Sequence, residues 1–421
     1  MKKRQTKFPT LLVFFLLLSF HIFFRFSDLE ARASLGWDQI DSAWAAKSIV
    51  VDKHLVVNGP VAKGNTGIYM GPLYYYLIAI VYYFTGMDPI ASPIFGAITA
   101  TVSAIVVYWV TKKLFGERVA LIALFINTFS MNVIHRDHIQ NAIQFIVPVS
   151  YLIFYFLYRV ITDSPRHLVY LGIMIGLSFH VDFTSVFYPM FVLLALPFFP
   201  RSKKSIPYYA LSLVLFLLLV SPILVVSGGS QNSLGTNLLS LFGTYYHGFH
   251  LQRAWQLVHD AFISIENILQ FKFFRPYVFF LVPVFAALYY RNNKKKDALK
   301  LFYLIALWFV IPWLVLSTYK GELTSSYFSL PYDISIAMLA YLTWQIMSAR
   351  TMFFRLVPVA LWAWYAVVNT QTFISTVSGT MPKQRQDVLN AIARKQVIEF
   401  KDSHADSFLY YYYTSIRNLV K

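Results

Sequence analysis

Long, continuous apolar runs alternate with short polar breaks along this chain. Several runs approach or exceed the roughly 18–20 residues that carry a helix across a bilayer. The segments read as spans are 8–25, 93–111, 119–134, 142–158, 168–181, 184–199, 207–226, 276–290, 299–318, 332–348 and 354–370. Outer-membrane barrels show two-residue alternation, which these runs lack. The pattern therefore predicts an all-α polytopic membrane protein with about 11 transmembrane helices. One apolar segment stands apart. Residues 72–85, PLYYYLIAIVYYFT, are short, follow Gly71 and carry five tyrosines. Tyrosine prefers the membrane interface. We read the segment as a juxtamembrane or re-entrant helix; an ordinary short span is the alternative.

Charge placement supports that choice. The formal net charge is +17, but the cations lie in small clusters between apolar runs. These are Lys112, Lys113 and Arg118; Arg159 and Arg166; Arg201, Lys203 and Lys204; Arg291 and Lys294 to Lys296; Arg350 and Arg355. With the N-terminus cytoplasmic and 72–85 not crossing, every cluster falls on the cytoplasmic side. Counting 72–85 as a span would put Lys112 and Lys113 outside. This distribution argues for membrane topology and against nucleic acid as a partner. The expected location is the plasma (inner) membrane, multi-pass, with the working surface extracytoplasmic.

Composition adds two limits. Of the 421 residues, 57% are hydrophobic and 13% charged, too apolar for a soluble fold. There is no cysteine, so disulfides and thiolate metal sites are excluded. The N-terminus imitates a signal peptide, but the apolar run is long and Arg25, Asp28 and Glu30 separate it from Ala31 and Ala33; an uncleaved first span is expected. Residues 1–370 read as the transmembrane module, with a long outer loop at 26–92. Residues 371–421 read as a short extracytoplasmic tail, amphipathic from Pro382, with a truncated small domain as the alternative.

Chemistry is expected where polar groups gather at the outer ends of spans. In Trp37-Asp38-Gln39-Ile40-Asp41, two acids lie three residues apart at the start of a segment with near-helical apolar spacing to Val50. An acid at a polar–apolar boundary has its pKa raised and suits a general base. Equally, both acids can simply solvate a helix start. His135, Arg136, Asp137, His138, Gln140 and Asn141 form a second cluster at a span end. It suits anion binding, orientation of a base or, through the HxxH spacing, a divalent metal; an interfacial cap is the plainer alternative. A third outer segment holds Tyr245, Tyr246, His247, His250, Arg253 and His259, suited to sugar stacking and phosphate contact. A fourth runs from Lys320 and Glu322 to Tyr327 and Asp333. His180 and Asp182 fall at a tight turn between spans; a satisfied turn is the plainer reading, and reaching the site is the alternative.

The order of these motifs resembles a family. WDQIDSAW in a long outer loop precedes GNTGIYMGPLYYY, then a span ending YWVTKKLFGERVALIALFI, then HRDHIQNA. This is similar to lipid-linked-sugar glycosyltransferases of the GT-C architecture. The likeness is strongest to the family 39-like group of protein O-mannosyltransferases and the aminoarabinose transferase of lipid A. It covers residues 1 to about 160, with SYFSLPYDISIAML as a later match. The resemblance implies an enzyme that takes a sugar from a polyprenyl-phosphate donor and transfers it, with inversion, to an acceptor hydroxyl or other nucleophile on the outer face. It implies Asp38 as catalytic base, Arg136 and Tyr327 as donor contacts and Asn141 as a second-loop polar residue. Two positions depart from the family. Met70 stands where a phosphate-holding lysine is usual, leaving Lys63 or Arg253 as substitute cations. Asp41 replaces an apolar or basic residue, which leaves the base open between Asp38 and Asp41. No cofactor is specified, and a divalent metal is the one candidate. Membrane lipids are the expected surroundings, and the acceptor, whether lipid, glycan or protein, is not specified. A lipid-linked glycan flippase or a surface-glycan polymerase or ligase are the competing classes.

Overall fold

The computed structural model describes residues 8–33, 35–62, 67–162, 164–228, 234–246, 248–258, 277–293, 296–321, 329–377, 379–380, 382–394 and 404–416. The expected apolar segments each coincide with a helix. α1 spans Phe8–Phe26, α2 Trp37–Val50, α3 Leu73–Phe84, α4 Ala91–Phe115, α5 Glu117–Phe129 and α6 Met131–Asp137. α7 (Ile146–Thr162), α8 (His167–Ser178), α9 (Phe187–Ala195), α10 (Ile206–Gly228) and α11 (Leu234–Tyr245) follow. Then come α12 (Tyr277–Asn293), α13 (Lys296–Leu316), α14 (Ser329–Met347) and α15 (Met352–Thr376), and finally the tail helices α16 (Lys383–Ala393) and α17 (His404–Tyr411). Among the described residues, 6 helices are long and apolar enough to cross a membrane, or up to 7 when the bent pair α5–α6 is one span. This is a multi-pass membrane protein.

The bundle has two distinct ends. At one, Lys112 pairs with Glu117 at 2.7 Å, Arg118 lies over the Trp344 ring at 4.8 Å and Lys300 caps the Ile161 carbonyl at 2.6 Å. These contacts gather the ends of α4, α5, α7, α13 and α14, where the basic clusters were expected together. The other end carries α2, α3, the α6 turn, the α8–α9 turn and the tail. Both ends of α3 stay there: Gly71, just before it, donates to Phe179 O, and Asp88, just after it, accepts from Tyr412 at 2.7 Å. At ~18 Å for its 12 residues α3 is too short to cross a hydrocarbon core of about 30 Å.

Between the ends, the main core joins α4, α5, α7, α8, α9, α12, α13 and α14. Its centre is Trp308, stacked on Phe191 at 4.0 Å, with its indole N–H donating to Ser150 at 3.1 Å. α8 meets α10 through Gly172 and Gly176, where an added Cβ would strike Ser212 and Leu219. Small residues one turn apart allow helix backbones this close approach.

The end of α5 shows how one charge is accommodated. The helix breaks at Ser130 and α6 leaves at 68°. That exposes the last carbonyls of α5, which a helix cannot satisfy by itself. Arg25, fully buried at the end of α1, donates to Thr128 O and Asn127 O, both at 2.8 Å. Its remaining N–H groups grip Asp137 at 2.9 and 3.0 Å. One guanidinium thus fastens α1, α5 and α6, and α1 is an integral part of the bundle.

Candidate active site

α2 opens with the tryptophan-acid motif, and each residue of it has a distinct job. Gln39 closes the helix start by accepting from Gly36 N–H at 2.9 Å. It is buried, and its amide also donates to Gln140 O. Asp38 and Asp41 emerge on the same exposed side of the helix, while Ile40, Ala43 and Ala46 pack beneath.

Gln140 is the hub beneath them. Only 1% exposed, its amide donates to Ser42 at 3.3 Å and to the Tyr74 hydroxyl, and its carbonyl oxygen accepts from Ser92 at 3.1 Å. α2, α3 and α4 therefore meet on one side chain of the loop after α6. The tyrosines of GPLYYY join this network: Tyr74 reaches Gln140, Tyr75 donates to Asp41, and Tyr76 donates to Val56 O at 3.0 Å.

The next residue, Asn141, reaches the acid itself. Its amide donates to the Asp38 carboxylate at 2.6 Å, while its own oxygen accepts from Ile143 N–H at 3.0 Å. Asp182 completes the group. Partial burial raises the pKa of Asp38, the negative charges of Asp41 and Asp182 raise it further, and the Asn141 hydrogen bond opposes them.

Asn141 and Asp182 occupy equivalent turns. Each has extended backbone, each accepts from the N–H two residues on, and each leads into a four-residue 3-10 turn and then a helix. The turns are Ala142–Phe145 before α7 and Phe183–Val186 before α9. Each helix then carries a proline at its third residue, Pro148 and Pro189, within the first turn where the missing N–H costs nothing. The chain thus places an Asx residue near Asp38 twice by the same local device.

His180 fixes the start of GPLYYY. Its Nδ1 accepts from Leu73 N–H at 3.4 Å, which leaves Nε2–H to donate to Leu219 O at 2.8 Å. The ring lies so close to Gly71 that no Cβ fits there. An imidazole that accepts at one nitrogen and donates from the other is neutral.

The other expected site residues are placed as follows. Asp137 is bound to Arg25, with Arg136 Nε 3.8 Å from its other oxygen. His138 Nε2 lies 3.0 Å from Phe24 O. His135 is exposed on α6. Asp137 and His138 thus tie α6 to the end of α1. Arg253, in the helical residues 251–258, donates to Gly321 O at 2.7 Å and to Gln256 of the same segment at 3.5 Å, joining that segment to Gly321. Met70 is buried and backbone-paired with Pro60 and Gly59. Lys63 and Tyr327 lie outside the described residues. Among the described residues, no three His, Asp or Glu side chains gather in a metal-binding arrangement.

The tail packs against this platform. Val388, Phe408, Leu409, Tyr412 and Tyr413 share one apolar cluster with α2 and α3. Phe408 meets Trp44 edge-on at 5.3 Å, and Arg385 pairs with Asp88 at 3.5 Å.

Comparison with known proteins fits this architecture. Residues 70–226 match the dolichyl-phosphate-mannose-protein mannosyltransferase family. Crystal structures of ArnT from Cupriavidus metallidurans, bound to undecaprenyl phosphate and in the apo state, align with TM-scores of 0.65 and 0.63. Both are 13% identical, over 94% of this chain and 84% of theirs. The apo oligosaccharyltransferase of Archaeoglobus fulgidus aligns with a TM-score of 0.58 at 13% identity, over 97% of this chain and 60% of that one. No curated protein sequence matches. The chain thus has the fold of these membrane proteins, and the family match covers over a third of it.

Proposed function

We propose that the protein moves a sugar from a polyprenyl-phosphate donor to an acceptor nucleophile, with Asp38 as the base. The observation that carries this reading is the Asp38 carboxylate, held by Asn141 and raised in pKa by its surroundings, at one end of a GT-C bundle. A raised pKa makes a carboxylate a better proton acceptor. Asp38 takes the proton of the acceptor nucleophile as that group attacks the anomeric carbon. The bond from that carbon to the phosphate oxygen breaks, and polyprenyl phosphate leaves with the electron pair, inverting the centre. A lipid-linked donor keeps its tail in hydrocarbon and its head at the interface, the level of α2 and α3. That ArnT was crystallised with undecaprenyl phosphate supports a polyprenyl carrier for this chain as well.

In this reading Asp41 orients the platform through Tyr75 rather than acting as base. Arg136 is the described cation at the junction of α6 with the Asn141 turn, and it is assigned to the donor phosphate together with Lys63 and Tyr327. Arg253 helps by holding the loop at Gly321. The end bearing Asp38 faces away from the cytoplasm, opposite the basic clusters, in the plasma (inner) membrane.

The test is a comparison of cells carrying the wild-type protein and Asp38→Asn. The variant is expected to insert and fold normally, to lose transfer and to let one polyprenyl-phosphate sugar accumulate, read by mass spectrometry. Unchanged lipid-linked sugars and surface glycans would overturn the reading.

A further inference from the structure

Gln39 makes two bonds, and only one of them belongs to a helix start. A glutamine three residues into a helix often accepts from the backbone N–H that precedes it, and its oxygen suffices for that. Gln39 does this with Gly36 N–H at 2.9 Å. Yet Gln39 is only 7% exposed, and its amide nitrogen is directed to Gln140 O, 101 positions away.

The identity of that acceptor is informative. Gln140 O belongs to the peptide whose nitrogen is that of Asn141. A peptide unit is planar, so holding its oxygen fixes the plane from which Asn141 departs. On the other side, the Asn141 side-chain oxygen takes Ile143 N–H at 3.0 Å. The nitrogen of the same amide faces Asp38 and donates to it at 2.6 Å. Consecutive residues of α2, Asp38 and Gln39, thus grip consecutive residues of the loop after α6, Asn141 and Gln140, in a closed ring. Ser42 adds a second tie: it accepts from the Gln140 amide at 3.3 Å and donates to Asp38 O at 2.6 Å. Both the main chain and the carboxylate of Asp38 are therefore referred to the same two loop residues.

We propose that Gln39 is a positioning residue for the base: its bond to Gln140 O keeps the Asn141 amide on the Asp38 carboxylate. The inference deepens the glycosyltransferase reading and takes the role of Asp38 from it. Asp38 also interacts electrostatically with Asp41 on its own helix, with Tyr74 and Tyr75 of α3 and with Asp182 of the α8–α9 turn. A neutral replacement of Gln39 leaves all of these charges in place, so what changes is the Asn141 bond.

The test uses full-length protein in nanodiscs and the neutral, similarly sized change Gln39→Met, alone and combined with Asn141→Ala. Protonation of Asp38 is followed against pH by infrared difference spectroscopy, its band assigned by its absence in Asp38→Asn. The Asn141 bond favours the ionised form, so the Asp38 midpoint in Gln39→Met should rise by about half a pH unit or more, in the same direction as in Asn141→Ala. Adding Gln39→Met to Asn141→Ala should give less than half of that further rise, because both changes break the same bond. An unmoved midpoint in Gln39→Met overturns the proposal. So do two shifts that add in full, since Gln39 would then act apart from Asn141. Should Gln39→Met not yield folded protein, Gln39→Asn, whose amide is one methylene too short to reach both partners, is read in the same way. Transfer is measured separately from polyprenyl-phosphate-linked mannose, glucose and arabinose, and kcat/KM for the sugar that wild type uses should fall about tenfold in Gln39→Met. Midpoints that shift as stated in a protein that transfers none of the three sugars remove the glycosyltransferase reading and leave the Gln39 clamp standing.

Discussion

Asn141 and Asp38 are separated by 103 positions in sequence, yet the amide of one donates to the carboxylate of the other at 2.6 Å. The bond stabilises the ionised form of Asp38 and fixes the carboxylate against α7. Hydrogen bonds to charged groups contribute roughly 1.5–3 kcal/mol. Asn141→Ala is therefore expected to lower kcat/KM for transfer by about 10- to 100-fold with little effect on folding. Steady-state kinetics on purified variant and wild type checks it; a change under threefold would show that the bond does not matter to transfer.

Asp41 differs from Asp38 in its partner. Its carboxylate accepts from Tyr75, a contact that positions α3 against α2. Asp38→Asn is expected to reduce turnover by at least about 100-fold, the scale of a lost general base. Asp41→Asn keeps an acceptor oxygen for Tyr75 and should retain most activity. The reverse order in a turnover assay would move the base three residues along the helix.

Gln140 predicts a stability effect. Gln140→Leu removes the partner of Tyr74, Ser42 and Ser92 at once. With several buried polar groups left unmet, a loss of at least about 2 kcal/mol is expected. It should appear as a lower unfolding midpoint in detergent, together with reduced yield. A midpoint equal to wild type would mean that the platform does not depend on this hub.

Much of this architecture was legible in the sequence because hydropathy is local. Each apolar run forms a helix, and the short, tyrosine-rich 72–85 segment remains at one end as charge counting required. The two acids were also visible, since acids beside a span are expensive without a reason. Gln140 and Tyr74 were not, because their partners lie tens of residues away and no local pattern encodes the pairing. Asp182 was read first as a turn residue, with a place at the site as the alternative. Its signal was the repeat of Asx followed seven residues later by proline, Asn141 with Pro148 and Asp182 with Pro189, which becomes meaningful once both turns face one acid. Of the HxxH pair, His138 lies against Phe24 O and His135 is exposed on α6.

Gly71 predicts a tight steric limit. An added Cβ would collide with the His180 ring, and that ring is held from the other side by Leu219 O. Gly71→Ala is expected to displace the start of α3 and with it Tyr74 and Tyr75. Activity should fall more than stability, and His180→Ala in the same chain should recover part of it by making room. Failure of the second change to restore any activity would place the defect elsewhere.

The charges around Asp38 predict a directional pH dependence. Its pKa is raised by partial burial, then by Asp41 and Asp182, and lowered by Asn141. The base form is lost as pH falls through that raised value, so the acid limb of kcat/KM should lie above the ordinary carboxylate range near about 4. Asp182→Asn removes a negative charge, makes Asp38 easier to ionise and should move the limb to lower pH. Asn141→Ala removes a bond to the ionised form and should move it to higher pH. The two shifts have opposite signs, which general damage to the site would not produce. Profiles of kcat/KM against pH for wild type and both variants read them directly, and shifts in the same direction would remove Asp38 as the group being titrated.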